Sequence, residues 1–327
     1  MSLQRRTIIA GLATAALAPP ARAAEVAIRI STAAPPSDFL AKACDAIKTQ
    51  IEDGTSGLKI SVHPASTLFK QGTEVPALQR GNLEMSTMTT FEVAQQIPEF
   101  GFLNRAYLFR DHDHMRAVFD GPIGATYRKT VADKMGIVIL ATAYLGTRQV
   151  ALAKKRPAKT PADLAGVKMR MPAGPDWLVL GRVLGVSPVP MGMPEVYLAL
   201  KTGTIDGQEN PLSIFNAAKL FEVSEQIILT AHMLQPVFFS VAKPFWEKLS
   251  KAQQGALAQA SIFAAMGNDA SRLADELLVT ETMKARGITV DTPDLAPFRA
   301  LADKIYADDP GAKGWDLAMA GMVQDTR

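Results

Sequence analysis

Residues 26–63, VAIRISTAAPPSDFLAKACDAIKTQIEDGTSGLKISVH, switch between two hydrophobic periods, and the switch decides the fold class. Val26, Ile28 and Ile30 alternate with small or polar residues, the period of two that marks a strand. Pro35 and Pro36 break the chain, Ser37 or Asp38 can cap a helix, and Phe39, Ala43, Ile47 and Ile51 then recur every four residues. Gly54 and Gly57 end that helix, after which Leu58, Ile60 and Val62 alternate again. A short helix around Glu74 to Arg80 and a third strand through Leu83, Met85 and Thr87 complete a β-α-β-α-β opening. Helical crossovers between successive strands imply an α/β fold with a mostly parallel sheet.

The same grammar continues outward. Ile137 to Leu140 and Val150 to Ala153 read as two apolar strands, and Val167, Met169 and Met171 alternate with Lys168 and Arg170 up to Pro172. A helix is expected from about Trp177 to Leu184, and a short strand from Val186 to Pro190. Asp206 to Pro211 is dense in polar residues and reads as a turn. From Lys243 onward the pattern is helical, with Ala252 to Ala285 carrying few breakers.

Toward the N-terminus, Arg5 and Arg6 precede an apolar run from Ile8 to Ala18, then Pro19-Pro20 and Ala21-Arg22-Ala23. That order of charged, apolar and small residues is a secretory signal peptide over residues 1–23, whose apolar run is far short of the roughly 20 residues that span a bilayer. The arginine pair suits either a twin-arginine signal or an ordinary charged leader, and both deliver a mature chain starting near Ala24 to the bacterial periplasm. The leader also accounts for the charge. The chain has 35 Lys+Arg against 32 Asp+Glu, a net +3, and Arg5, Arg6 and Arg22 are the excess. A neutral body lacks the basic footprint of a nucleic-acid or membrane-surface protein.

Motifs of catalysis are missing: the sequence holds no G-x-S-x-G, G-x-x-x-x-G-K-[ST], G-x-G-x-x-G or H-E-x-x-H, so no catalytic residue and no cofactor is assigned. His112 and His114, in Arg110 to Met115, read as solvated beside an aspartate that caps a helix, and no metal site is assigned. Cys44, the single cysteine, reads as a buried core thiol. Arg170 carries the clearest signal. It ends a strand on the face opposite its apolar neighbours, where ligands bind in open α/β sheets, and a guanidinium there can pair with a carboxylate.

Several segments in order from about Val26 to Leu249 resemble the DctP-type solute-binding proteins of TRAP (tripartite ATP-independent periplasmic) transporters. They are Gly54 to Ser56 with Leu58 to Pro64, Tyr107 to Asp111, Pro161 to Pro172, Gly185 to Met191, Glu195 to Gly203, and Asp206 to Pro211. The resemblance implies a two-lobed periplasmic binding protein fold with mostly parallel or mixed sheets, a cleft between lobes, and strands and a helix spanning the hinge. Its lobes would be residues 24–147 with about 236–275, and residues 148–235 with about 276–327 and the C-terminal helices. It implies that Arg170 clamps a ligand carboxylate, that Asn210 contacts the ligand, and that Arg148 of Gly146-Thr147-Arg148 either does so or forms a cross-lobe ion pair.

Glu74, Thr90, Phe91, Trp177 and Phe239 are further candidates for the cleft, with Glu74 equally able to cap its helix. Phe238 and Phe239 argue against a highly hydroxylated ligand. The implied partners are a small organic acid and the membrane permease subunits, with the binding protein a monomer. A periplasmic sensor that presents its closed form to a receptor kinase remains an alternative on the same scaffold.

Overall fold

In the computed structural model, which describes residues 25–54 and 56–327, the chain opens with β1 (Val26–Ser31), α1 (Phe39–Glu52), β2 (Leu58–His63), α2 (Glu74–Gln79) and β3 (Met85–Thr89). The expected leader, residues 1–23, lies outside the described residues. Both β2 and β3 pair in parallel with β1, as a β-α-β-α-β opening requires. Asp38 is the cap of α1: its carboxylate accepts the Leu40 N–H at 2.9 Å, satisfying one of the unpaired donors of the first turn. The helix buries Ala43, Cys44, Ile47 and Ile51 against the sheet.

Next come α3 (Thr90–Ala94), α4 (His112–Asp120), α5 (Pro122–Met135) and β4 (Ile137–Leu152). They are followed by β5 (Lys168–Met171), α6 (Pro175–Val183), β6 (Ser187–Pro190), α7 (Val196–Lys201), β7 (Gly207–Pro211), α8 (Leu212–Ala217) and β8 (Gln226–Ala242). The chain closes with α9 (Lys243–Trp246), α10 (Lys251–Ala285), β9 (Thr289–Asp291), α11 (Ala296–Asp308) and α12 (Leu317–Asp325). Among the described residues the strands form one mixed sheet in the order β2-β1-β3-β8-β4-β7-β5-β6, with β9 on β8. No helix of these residues is long and apolar enough to cross a membrane.

The long strands β4 and β8 join the two halves. They lie antiparallel from Ile137 opposite Ala242 to Leu152 opposite Gln226. The last part of β8 pairs with β3, whereas the last part of β4, from Arg148, pairs with β7. The register shifts between these segments at Tyr144/Gly146, and again at Arg148/Val150 where β4 begins to pair with β7. Gly146 has φ +121°, and a Cβ there would meet the Pro211 Cβ at 2.5 Å, so only glycine fits the crossing.

Helix α10 straps this crossing with polar side chains. Asn268 donates to the Tyr144 carbonyl at 2.7 Å, Asp269 accepts from the Tyr144 N–H at 2.7 Å, and Glu276 accepts from the Thr147 N–H at 2.8 Å. These bonds satisfy backbone groups that the irregular ladder leaves open. One turn away, the buried Arg272 pairs with Asp38 and donates to Ser213, tying α10 to α1 and α8 at once.

Three sequence expectations change here. The two strands expected at Ile137 to Leu140 and Val150 to Ala153 are one continuous β4, because its middle carries small and polar residues where it crosses between apolar cores. Asp206 to Pro211 is mainly a strand, not a turn: Gln208, Glu209 and Asn210 of β7 are all buried, Glu209 pairing with Arg148 and His232 and Asn210 donating to Gln208 Oε1, while Gln208 Nε2 has no partner among the described residues. Asp111 does cap α4, but His114 is buried rather than solvated; it accepts the Arg110 N–H at Nδ1 and its Nε2 donates to the Val323 carbonyl of α12 at 2.8 Å.

Candidate functional site

A cleft opens where the ends of β1 and β3 face those of β5 and β7. Its walls are mixed. Leu40, Val75, Leu145, Met193 and Val237 are apolar, while Thr32, Thr87, Thr89, Glu74, Glu92, Asn210 and Gln235 bring hydrogen-bonding groups. Five of the residues singled out in the sequence meet there: Arg170, Arg148, Asn210, Glu74 and Trp177.

Arg170 reaches the cleft because it alternates with Met169 and Met171, which are buried in the apolar core beneath. Its Nε donates to the Met191 carbonyl at 2.8 Å and its Nη2 to Gln71 Oε1 at 3.0 Å. Nη1 has no hydrogen-bond partner among the described residues, and no carboxylate there forms an ion pair with this guanidinium. The side chain is only 1% exposed. Burial pulls its pKa down to about 9; the nearby Arg148 charge adds to that, while Glu209 and Glu195 oppose it. The group therefore stays protonated at neutral pH, as a cation in surroundings that disfavour one.

Arg148 is already neutralised. Its Nε and Nη2 form a two-pronged pair with the Glu209 carboxylate, Nη2 also donates to the Glu209 carbonyl at 2.7 Å and to Asn210 Oδ1 at 3.1 Å, and Nη1 donates to Gln235 Oε1 at 2.7 Å. Glu209 further accepts from His232 Nε2 at 3.0 Å, and His232 Nδ1 lies 2.8 Å from the Thr230 hydroxyl. Burial raises the Glu209 pKa, but the Arg148 charge and the His232 and Arg148 hydrogen bonds outweigh it and leave it at about 2. Burial holds His232 below its ordinary range, against the pull of Glu209. Glu209, His232, Gln235 and Gln71 were not singled out from sequence. Glu209 lies inside the quoted Asp206 to Pro211 segment, but nothing in one sequence shows that a histidine on β8 reaches it.

Trp177, at the start of α6, forms one face of the site. Phe91 stacks on it at 3.6 Å with the planes 10° apart, and the Arg148 guanidinium lies 4.9 Å from the same ring. Glu74 faces the cleft from α2, with one carboxylate oxygen accepting the Gly72 N–H at 2.8 Å. Burial pushes its pKa up to about 7, and Glu92 reinforces that. Glu92 is itself raised by burial, against its hydrogen bonds with Thr89.

Thr90, Phe91 and Phe239 do not line the cleft. Thr90 is buried at the start of α3, where Thr89 is the cap, and Phe91 backs Trp177. Phe238 and Phe239 alternate on β8 into two different apolar cores, so they leave the ligand's hydroxyl content open and the argument drawn from them fails. Gln235 adds a donor instead: its Nε2 is buried without a protein partner in a residue that lines the cleft.

Comparison with known proteins gives a consistent picture. The family described as bacterial extracellular solute-binding protein, family 7 (DctP), matches residues 30–309. A solute-binding protein of Verminephrobacter eiseniae is 35% identical over 287 residues, 87% of this chain and 85% of that protein. The 2,3-diketo-L-gulonate-binding periplasmic protein YiaO of Escherichia coli is 32% identical over 277 residues, 84% of this chain and 81% of that one. Among solved structures, a TRAP periplasmic solute binding protein from Roseobacter denitrificans with bound 3-deoxy-D-manno-oct-2-ulosonic acid has a TM-score of 0.89 at 33% identity, covering 93% of this chain and 100% of that one.

Proposed function

The chain belongs to the DctP family of solute-binding proteins of TRAP transporters, and from that membership we propose that its ligand is a hydroxylated monocarboxylate held by Arg170. One observation carries the reading: Arg170 is a buried cation lining the cleft with no carboxylate of its own. A ligand carboxylate takes up the free Nη1 and completes a charge-assisted pair in a site where water competes little. Asn210 and Arg148 fix its second oxygen, Arg148 being held in place by Glu209 rather than free to supply a second positive charge.

The charge balance selects among acids. With Arg148 cancelled by Glu209, the cleft offers one unpaired cation, and Glu74 and Glu92 lie on its other wall. A second carboxylate has no cation to meet and two acidic groups to avoid. Hydroxyls do better, since Glu74, Thr87, Thr89 and Gln235 accept or donate hydrogen bonds to them. The acids bound by the relatives, a keto sugar acid and a diketo gulonate, are of this kind.

In this reading residues 24–147 with about 236–275 form one lobe and residues 148–235 with about 276–327 the other, and they close about the β4/β8 crossing. The last helix, α12, packs back on α5 of the first lobe, so the C-terminal tail spans both. Closure is driven by the ligand's greater affinity for the closed form, which the membrane permease then receives in the periplasm.

A thermal-shift series tests the proposal. 3-Deoxy-D-manno-oct-2-ulosonate, 2,3-diketo-L-gulonate and simple aldonates are compared with C4 dicarboxylates and with the sugar alcohols that lack a carboxylate. At least one hydroxylated monocarboxylate should raise the melting temperature in proportion to the logarithm of its concentration, with the matching alcohol inert. Equal shifts from acid and alcohol, or shifts from the dicarboxylates alone, contradict it.

A further inference from the structure

Helix α10 turns its polar side to the β4 crossing and leaves the opposite side bare. Between Gly255 and Leu278 every exposed residue of this helix is uncharged. Phe263 is 65% exposed, Met266 63%, Leu277 80% and Leu278 67%, where side chains of this size are usually buried. Phe263, Met266, Ala270, Leu273 and Leu277 follow one another at alternating steps of three and four, the spacing of a helix-to-helix seam.

We propose that this face is the contact between two copies of the chain, packed antiparallel about a two-fold axis at Ala270. The order of residue sizes argues for a second copy over any other occupant. Under that symmetry residues equidistant from Ala270 meet. Met266 falls on Ala274 and Leu273 on Gly267, a large side chain opposite a small one each time. Phe263 meets Leu277 and Ile262 meets Leu278 at the two ends, where the helices diverge. A surface that supplies its own knobs and holes in this way is what an isologous contact requires. An anionic lipid surface would call for lysines and arginines on the face, and it carries none.

Size is adequate. Taking ordinary side-chain areas, the exposed large residues leave roughly 700 Å² uncovered per copy, so about 1,400 Å² for the pair, within the range of about 1,200–2,000 Å² for stable interfaces. The contact lies on the side of α10 away from Asn268, Asp269, Arg272 and Glu276, which engage the crossing, so it leaves the cleft accessible. The monomer expected from the resemblance gives way to a back-to-back dimer.

Sedimentation equilibrium of the mature chain at micromolar concentrations should give twice the chain mass. Leu277→Arg and Met266→Arg should each return it to the monomer while keeping the thermal shift given by the wild-type ligand, which shows that both variants fold. Ala270→Cys should form a disulfide-linked dimer on mild oxidation with copper phenanthroline, since Cys44 is fully buried and does not compete. An equimolar mixture of Phe263→Cys and Leu277→Cys should cross-link more than either alone, as an antiparallel pair demands. A wild-type chain that is monomeric throughout, a dimer indifferent to Leu277→Arg, or binding to neutral lipid vesicles by a monomer overturns the proposal.

Discussion

Glu209 is a fully buried carboxylate, and its cost is offset by Arg148 on one side and His232 on the other. Because its pKa falls from the ordinary 4.5 to about 2 on folding, the folded protein binds this proton less tightly than the unfolded chain does. The stabilisation is therefore complete above pH 4.5 and is lost as the pH falls toward 2. Glu209→Gln leaves Arg148 buried and unpaired, which should cost about 3–5 kcal/mol at neutral pH. It should also flatten the acid limb of stability between those two pH values, as read by urea denaturation at stepped pH. An unchanged acid limb contradicts the assigned pairing. Arg170 is the counterexample at the same scale: no carboxylate among the described residues pairs with it, and in the proposed function the ligand is its partner, so its role is to be read in affinity.

The crossing of β4 past β7 and β8 depends on one backbone position. Gly146→Ala forces a Cβ into Pro211 at a φ that side chains rarely adopt, so it should destabilise the fold by about 2 kcal/mol or more, measured by thermal or urea unfolding. An alanine variant as stable as the wild type refutes the close approach. This element also marks where sequence reading stops. The β-α-β-α-β opening was legible because its strands bury one face and its helix α1 one stripe, giving clean periods of two and about four. Around the cleft the periods fail. The middle of β4, all of β7 and the 17-residue β8 carry buried polar residues, several of them, such as Arg148, Glu209 and His232, paired with partners far away in the chain, and so look like turn or loop in one dimension. Thr230, His232 and Gln235 hid β8 entirely. Arg170 stands out at the end of its strand and again in a motif of a known family, Asn210 only in such a motif; Gln71, Glu209, His232 and Gln235 are visible only once the fold brings them together.

For the molecule as a whole, the net charge of +3 belongs to residues 1–23, so the remaining body is neutral, and the proposed recognition of an anionic ligand rests on local charge rather than on the protein's overall field. Gln71 links the two walls of the cleft: lying ahead of α2, it accepts from Arg170 of β5 and from the Met193 N–H at 2.8 Å. This bridge fixes the position of the Arg170 guanidinium, the group proposed to meet the ligand carboxylate. Isothermal titration calorimetry of the best-binding hydroxylated monocarboxylate with wild type, Arg170→Lys and Arg170→Ala tests that claim most directly. Truncating one partner of a buried charge pair costs about 2–5 kcal/mol, so Arg170→Ala should weaken affinity roughly 30-fold to several thousand-fold. Lysine should recover only part of it, lacking the planar fork. An Arg170→Ala protein that is folded and binds the acid as tightly as the wild type contradicts the account.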